Sequence, residues 1–270
     1  MAPFEAGRPL KRWRYVAAFG PELMLCAGDA RIGPLRQRWW AIAEPGTELL
    51  ERTSAGSAGL TLETASPSGQ PGSAPGIELR IEAKELRVEL RVETGAGSRP
   101  VEVVSPSGSR GWAWTRKQAG LPARAAIDLG GRRRTLELEA VVDDSAGYHA
   151  RRTTWRWSTG VGRASSGERI AWNLVTGVHD ARAASERALW VDREPIPVAP
   201  VAIAPDLTAI RFDDGGELRF RSWSAREHRT NLLLFRSTYR QPFGTFAGAL
   251  PGGLSLAEGY GVMEEHEVRW

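Results

Sequence analysis

The chain has 270 residues, with 36 basic and 32 acidic side chains, a formal net charge of +4, one Cys, four His and 11 Trp. One Cys excludes an intramolecular disulfide framework, and His149, His179, His228 and His266 are too scattered for a sequence-local metal motif, so no metal is expected. At 41% hydrophobic and 25% charged, the composition is globular, with enough material for one large core or two moderate ones.

Trp13, Tyr15 and Ala17 alternate with Arg14 and Val16, the period-two signature of a half-buried strand. No apolar signal core precedes them. The most apolar run, residues 16–27, is interrupted by Gly20-Pro21-Glu22 and is shorter than the roughly 18 residues of a membrane helix. A cytoplasmic chain without integral membrane association is expected. Cys26 lies in Leu23-Met24-Leu25-Cys26-Ala27 and reads as a buried small hydrophobe, not a nucleophile. Arg38-Trp39-Trp40 adds two further aromatics. Residues 66–76 are rich in Pro, Gly and Ser and read as an exposed mobile loop inserted between strands.

Ile77, Leu79 and Ile81, then Leu86, Val88, Leu90 and Val92, occupy alternate positions, and the parity changes across Ala83-Lys84-Glu85. That change marks an antiparallel hairpin. In Trp112-Ala113-Trp114-Thr115-Arg116-Lys117 the two Trp share a face. Ala123, Ala125, Ile127 and Leu129 lead into Gly130-Gly131, and Leu136, Leu138, Ala140 and Val142 lead out, a strong hairpin signal with Arg132-Arg133-Arg134 at its tip. Residues 143–147 are taken as the domain boundary, giving domains 1–145 and 146–270. Beyond it, Thr153, Trp155 and Trp157 alternate on a strand, residues 181–190 form a loop with one turn at most, and Leu207 to Phe220 form a hairpin around Asp213-Asp214-Gly215-Gly216.

Short alternating strands with Gly- and Pro-rich turns predict an all-β chain of about twenty strands. A single barrel of that size would need a lipid-facing band, which is not visible. Two antiparallel β-barrels or sandwiches sharing an interface fit better. Only Lys11, Lys84 and Lys117 are lysine, and acidic residues are interspersed among the arginines, so no unbroken positive stripe marks a nucleic-acid partner. There is no phosphate loop, no Gly-x-Ser-x-Gly and no His-Glu-x-x-His. Gly160-Val161-Gly162 is followed by Ser165 where a dinucleotide fingerprint needs Gly. No cofactor is expected.

Three segments carry candidate chemistry. In residues 147–160, His149, Arg151, Thr153, Trp155 and Trp157 share a face if the strand is continuous, beside Tyr148. His149 is a candidate acid or base, and Trp155 and Trp157 are either pocket walls or core filling. At the C-terminus, Glu264 and His266 share one strand face, with Glu265 and Glu267 on the other, and a carboxylate beside a His can raise its pKa and orient it. In residues 170–180, Asn173 interrupts an apolar strand and needs partners, from a ligand or from a bulge. Trp112 and Trp114 are further candidate ligand contacts.

The sequence resembles the bacterial family of unknown function numbered 2804. The segments that carry the likeness include Leu10-Lys11-Arg12-Trp13-Arg14-Tyr15-Val16, Asp144-Ser145-Ala146-Gly147-Tyr148-His149-Ala150-Arg151, Trp155-Arg156-Trp157-Ser158, Trp172-Asn173-Leu174-Val175-Thr176-Gly177 and Gly259-Tyr260-Gly261-Val262-Met263-Glu264-Glu265-His266. More distantly the layout is similar to tandem lipocalin-like proteins: AttH-like proteins, carotenoid 1,2-hydratases and pericyclases. That likeness implies two calycin-like domains with an apolar pocket near their interface, and a hydro-lyase or isomerase acting on an isoprenoid- or polyketide-like molecule. His149, Glu264 and His266 would then be catalytic, with Tyr148, Trp155, Trp157, Asn173, Trp112 and Trp114 binding the ligand. Tyr148-His149 stands where the distant relatives have Asp-His, so the fold transfers better than the reaction. A non-catalytic carrier or sensor of lipophilic ligands, and a structural module without a ligand, are the alternatives.

Overall fold

The structure is a computed structural model and describes residues 1–65, 75–232 and 235–269. Most of the loop expected at residues 66–76, and Trp270, lie outside the described residues. A short hairpin of β1 (Phe4–Glu5) and β2 (Arg8–Pro9) precedes the first large sheet. That sheet contains β3 (Lys11–Phe19), β4 (Met24–Ile32), β5 (Leu35–Ala43), β6 (Leu50–Ser54), β7 (Leu60–Ala65), β8 (Gly76–Ala83), β9 (Leu86–Glu93), β10 (Val101–Ser107), β11 (Gly111–Leu129) and β12 (Arg132–Gly147). The second contains β13 (Arg152–Ala164), β14 (Arg169–Thr176), β15 (Ala188–Val191), β16 (Glu194–Pro197), β17 (Val201–Ile203), β18 (Ala209–Phe212), β19 (Glu217–Leu232), β20 (Phe235–Ala249) and β21 (Ser255–Arg269). Among the described residues there is no α-helix, and residues 188–190, expected in a loop, belong to strand β15.

The two sheets share one strand order. The first runs β6-β5-β4-β3-β12-β11-β9-β8-β7, with β10 attached to β11, and the second runs β16-β15-β14-β13-β21-β20-β19-β18-β17. In each, the first long strand pairs with the last, and the intervening strands spread to either side. The chain passes from one sheet to the other between Gly147 and Arg152. The hairpin signals hold: Ala83 pairs with Leu86, and Gly130 and Gly131 both take positive φ between β11 and β12.

Period-two alternation divides the side chains among three cores. On β12, Leu136, Leu138, Ala140 and Val142 join a cluster made wholly by the first sheet, with Val16, Leu25, Trp40 and Leu79. On β14, Ile170, Trp172 and Leu174 join a cluster made wholly by the second sheet. The opposite faces of both sheets meet in a third cluster that includes Tyr15, Cys26, Val141, Trp157, Val175 and Phe243. Inside the second sheet, Trp172 lies against Gly160, where a Cβ would collide with its ring. Its indole N–H donates to Ser158 Oγ at 2.9 Å.

Strand β11 serves two compartments through one irregularity. Thr115, Lys117 and Ala119 face the second sheet, whereas Leu121, Ala123, Ala125 and Ile127 face the first sheet's own core. All are odd-numbered, so strict alternation would keep them on one side. The register shift between Ala119 and Leu121 inserts Gly120 as a bulge, and its φ of +69° is a conformation that favours Gly.

Candidate functional site

A cavity of about 180 Å³ lies between the sheets. The first sheet contributes Trp13, Tyr15, Trp39, Thr115, Lys117 and Asp143. The second contributes Thr153, Trp155, Trp157, Tyr239, Glu264 and His266. His149 from the connection between the sheets, and His179 and Glu186 from the loop after β14, complete much of the wall. Apolar surface dominates, with titratable groups set into it, as expected of a small-molecule site.

One polar group centres on Lys117. Its Nζ lies 2.6 Å from Asp143 Oδ2 and 3.4 Å from Glu186 Oε1, and all three residues are buried. The ammonium also sits 5.6 Å from the centre of the Trp157 ring. Burial opposes the Lys117 charge, but Asp143 and Glu186 more than compensate and its pKa rises. Burial pushes the Asp143 carboxyl up to about 6, against the pull of Lys117 and with help from Glu186. Two carboxylates thus share one ammonium, and Asp143 exchanges a proton near neutral pH.

His149 also lines the cavity, its ring 4.9 Å from Trp13 and 6.3 Å from His179. Burial, then His179 and Lys11, push its pKa down to about 3, against a weaker contribution from the Gly147 backbone. At neutral pH it is therefore an uncharged imidazole. Neither ring nitrogen makes a hydrogen bond of good geometry. Asp143 Oδ1, Glu186 Oε2, Thr115 Oγ1 and Trp39 Nε1 are likewise buried without hydrogen-bond partners, and every one of these residues lines the cavity.

A second polar group centres on Glu264. Its carboxylate accepts from Trp155 Nε1 at 2.8 Å, Tyr239 OH at 2.9 Å and Gln241 Nε2 at 3.0 Å. Burial raises its pKa, while the Trp155 and Tyr239 donors oppose the rise. Three donors leave it little room to act as an acid. His266 exchanges a 2.8 Å hydrogen bond with Ser237 and packs against Trp155, with ring centres 4.4 Å apart. Its pKa falls to about 3 through burial and then Arg226. The expected elevation of His266 by a neighbouring carboxylate is therefore corrected: desolvation wins.

Of the candidates from sequence, His149, Glu264, His266, Trp155 and Trp157 line this one cavity. No hydrogen bond joins His149 to Glu264 or His266 among the described residues. Arg151, expected on the same face, is exposed because β13 begins only at Arg152. Asn173 is one layer back: its Oδ1 accepts from Trp157 Nε1 at 2.8 Å, and its Nδ2 donates to the Glu186 carbonyl at 3.0 Å. Tyr148, Trp112 and Trp114 are not on the wall. Tyr148 OH donates to the Ala2 carbonyl, its ring packs on Trp112, and Trp112 donates to Glu5. Because Thr115 and Lys117 take the cavity face of β11, the two Trp of even number must take the other. The sequence reading missed Lys117, Asp143, Glu186, Trp39 and Tyr239, which come from separate segments with no local motif. The usable signal was Lys117, one of three lysines, inside a strand.

Residues 44–270 match a protein family described as a domain of unknown function, DUF2804. No curated protein matches the sequence at a significant level. Solved structures that share the architecture include the following two. A protein from Nitrosomonas europaea assigned as an AttH has a TM-score of 0.62 at 12% identity, with 94% of this chain and 92% of that one covered. Kievitone hydratase from Nectria haematococca has a TM-score of 0.59 at 11% identity, with 94% and 88% covered. At such identities the likeness establishes the lipocalin-like fold, and the chemistry has to come from the site.

Proposed function

The chain belongs to the DUF2804 family, and on that footing we propose that its cavity binds a small, mostly apolar molecule and transforms it by acid–base chemistry, a hydration or an isomerisation. The observation that carries this reading is a Trp-walled cavity whose lining includes buried, unpartnered atoms of both Asp143 and His149. With its pKa near 6, Asp143 is mainly ionised at neutral pH, and its minor protonated form gives a proton to one carbon of a carbon–carbon double bond. Lys117, already paired with it, stabilises the carboxylate left behind. The faces of Trp155 and Trp157 stabilise the cation that forms. Neutral His149 then takes a proton, either from a water that adds to the cation or from the adjacent carbon. The first route hydrates the double bond and the second moves it, and the proton returns to Asp143. Glu264 and His266 hold Trp155 in place and act as positioning residues.

The test is deuterium incorporation from D2O into a panel of small terpenoid and aryl alkenes, followed by mass spectrometry. The wild type should label at least one alkene, and D143N and H149Q should each lower the rate about 100-fold or more. Binding of several panel members with no incorporation into any of them would reject the enzymatic reading and leave a lipophilic-ligand carrier.

A further inference from the structure

The polar end of this cavity is built for one kind of functional group. Asp143 Oδ1 and Glu186 Oε2 are acceptors in their ionised forms, and neither has a donor. Thr115 Oγ1, both nitrogens of His149 and Trp39 Nε1 are also unpartnered on the cavity wall. Asp143, Glu186, Thr115 and His149 are all more than nine-tenths buried, so bulk water does not satisfy these atoms. The charges nearby are already committed. Lys117 is shared by two carboxylates. Across the cavity, Arg226 is ion-paired with Glu51, donates from Nη2 to Thr53 at 2.7 Å and lies over Tyr239 and Trp39, although its Nε, 2.9 Å from Glu51, makes no hydrogen bond of good geometry. An anionic ligand would meet the excess negative charge of Asp143 and Glu186 and find no cation in reserve at that end.

We infer that the ligand of this cavity is an apolar molecule whose polar end is a hydrogen-bond donor, a hydroxyl or an amine, and that the site excludes carboxylates of the same skeleton. The inference rests on the proposed binding of a small apolar molecule and adds the class of its polar group. A donor placed between Asp143 Oδ1 and Glu186 Oε2 satisfies two acceptors at once, and a hydroxyl can also accept from Thr115, which shares the strand face of Lys117. Trp walls on both sheets hold the remaining apolar body.

The size of the cavity fixes the probes, since a void of about 150 Å³ accommodates benzene. Toluene, phenol, benzylamine and benzoate, each with one ring, are titrated into the full-length protein by ligand-observed NMR at pH 7.5. Phenol or benzylamine should bind at least about tenfold more tightly than benzoate, and which of the two is tighter separates the hydroxyl from the ammonium. D143N, which keeps the Lys117–Glu186 pair, should narrow the ratio between the donor probe and benzoate. T115V, which keeps Asp143, should weaken phenol relative to toluene, so the end can still be probed if D143N does not melt cooperatively. Benzoate binding as tightly as both donor probes, with toluene also bound, overturns the inference while sparing the apolar-ligand reading. Failure of all four probes to bind overturns both.

Discussion

Trp172 and Trp155 sit in one sheet and experience two kinds of interior. Trp172 is wholly inside the second sheet, packed on Phe246 and satisfied by Ser158. Trp155 faces the compartment between the sheets and donates to a buried carboxylate. The same contrast separates Trp40, whose N–H reaches the Ala58 carbonyl inside the first sheet, from Trp39, its neighbour in sequence, whose N–H has no partner at the cavity. Each sheet's own core is aliphatic and aromatic. The compartment between them holds Lys117, Asp143, His149, Glu186 and Glu264, and several of their polar atoms have no partner. Unsatisfied buried polar atoms cost stability, so their concentration in one compartment separates the part of the molecule that supplies folding energy from the part that works against it.

That division predicts where acid acts first. His149 has its folded-state pKa lowered from 6.5 to about 3, and His266 is lowered likewise. Between those pH values the unfolded chain binds more protons, so stability present above pH 6.5 is lost as the pH falls toward 3, by an amount on the order of several kcal/mol. Asp143 works in the opposite sense. Raised to about 6, it favours the folded state as the pH drops from 6 toward 4. Acid unfolding followed by circular dichroism should therefore be shallower in H149Q than in the wild type. An unchanged acid limb would show that the compartment is wetter than its burial implies.

Trp172→Ala tests the other side of the contrast. Losing this side chain should cost up to about 5 kcal/mol in denaturant unfolding, where Trp155→Phe should cost less, since its ring volume is largely kept. Equal losses would erase the distinction between filled interior and cavity wall. Lys117→Met should cost about 3 kcal/mol, because it leaves two buried carboxylates facing each other. Adding D143N should recover part of that loss, and a double-mutant cycle measures the coupling. The smallest effect is expected at the bulge. Gly120→Ala forces a Cβ into the left-handed region and should lower stability by about 1–2 kcal/mol, visible as a modest drop in Tm.

The parts of the fold that period-two patterning controls were legible from sequence. Leu136, Leu138, Ala140 and Val142 reach the core they were expected to reach, Gly130-Gly131 turns the hairpin, and Glu264 and His266 share the expected face. What stayed hidden depends on strands far apart in sequence. Asp143 looks like a boundary residue until β12 pairs with β3 and β11. Only then does its carboxylate meet Lys117, and Glu186 arrives from a loop of the other sheet. Trp112 and Trp114 were misplaced for a related reason. Residue type suggests that Trp goes in and Lys stays out, but a buried Lys becomes affordable once two carboxylates meet it. Gly120 could not be read either, since the odd-numbered apolar pattern runs through it unbroken.

The common strand order of the two sheets carries one more consequence. In each sheet the first long strand lies beside the last, and across that seam an aromatic residue is paired with an acid: Tyr15 with Asp143, and Trp157 with Glu264. The site is thus assembled from two renditions of a single half-site, one from each half of the chain. They have been finished differently. Glu264 is tied down by three donors, while one oxygen of Asp143 has no hydrogen-bond partner. Two matched halves finished differently, an asymmetry that paired subunits can also show, are joined here within one polypeptide.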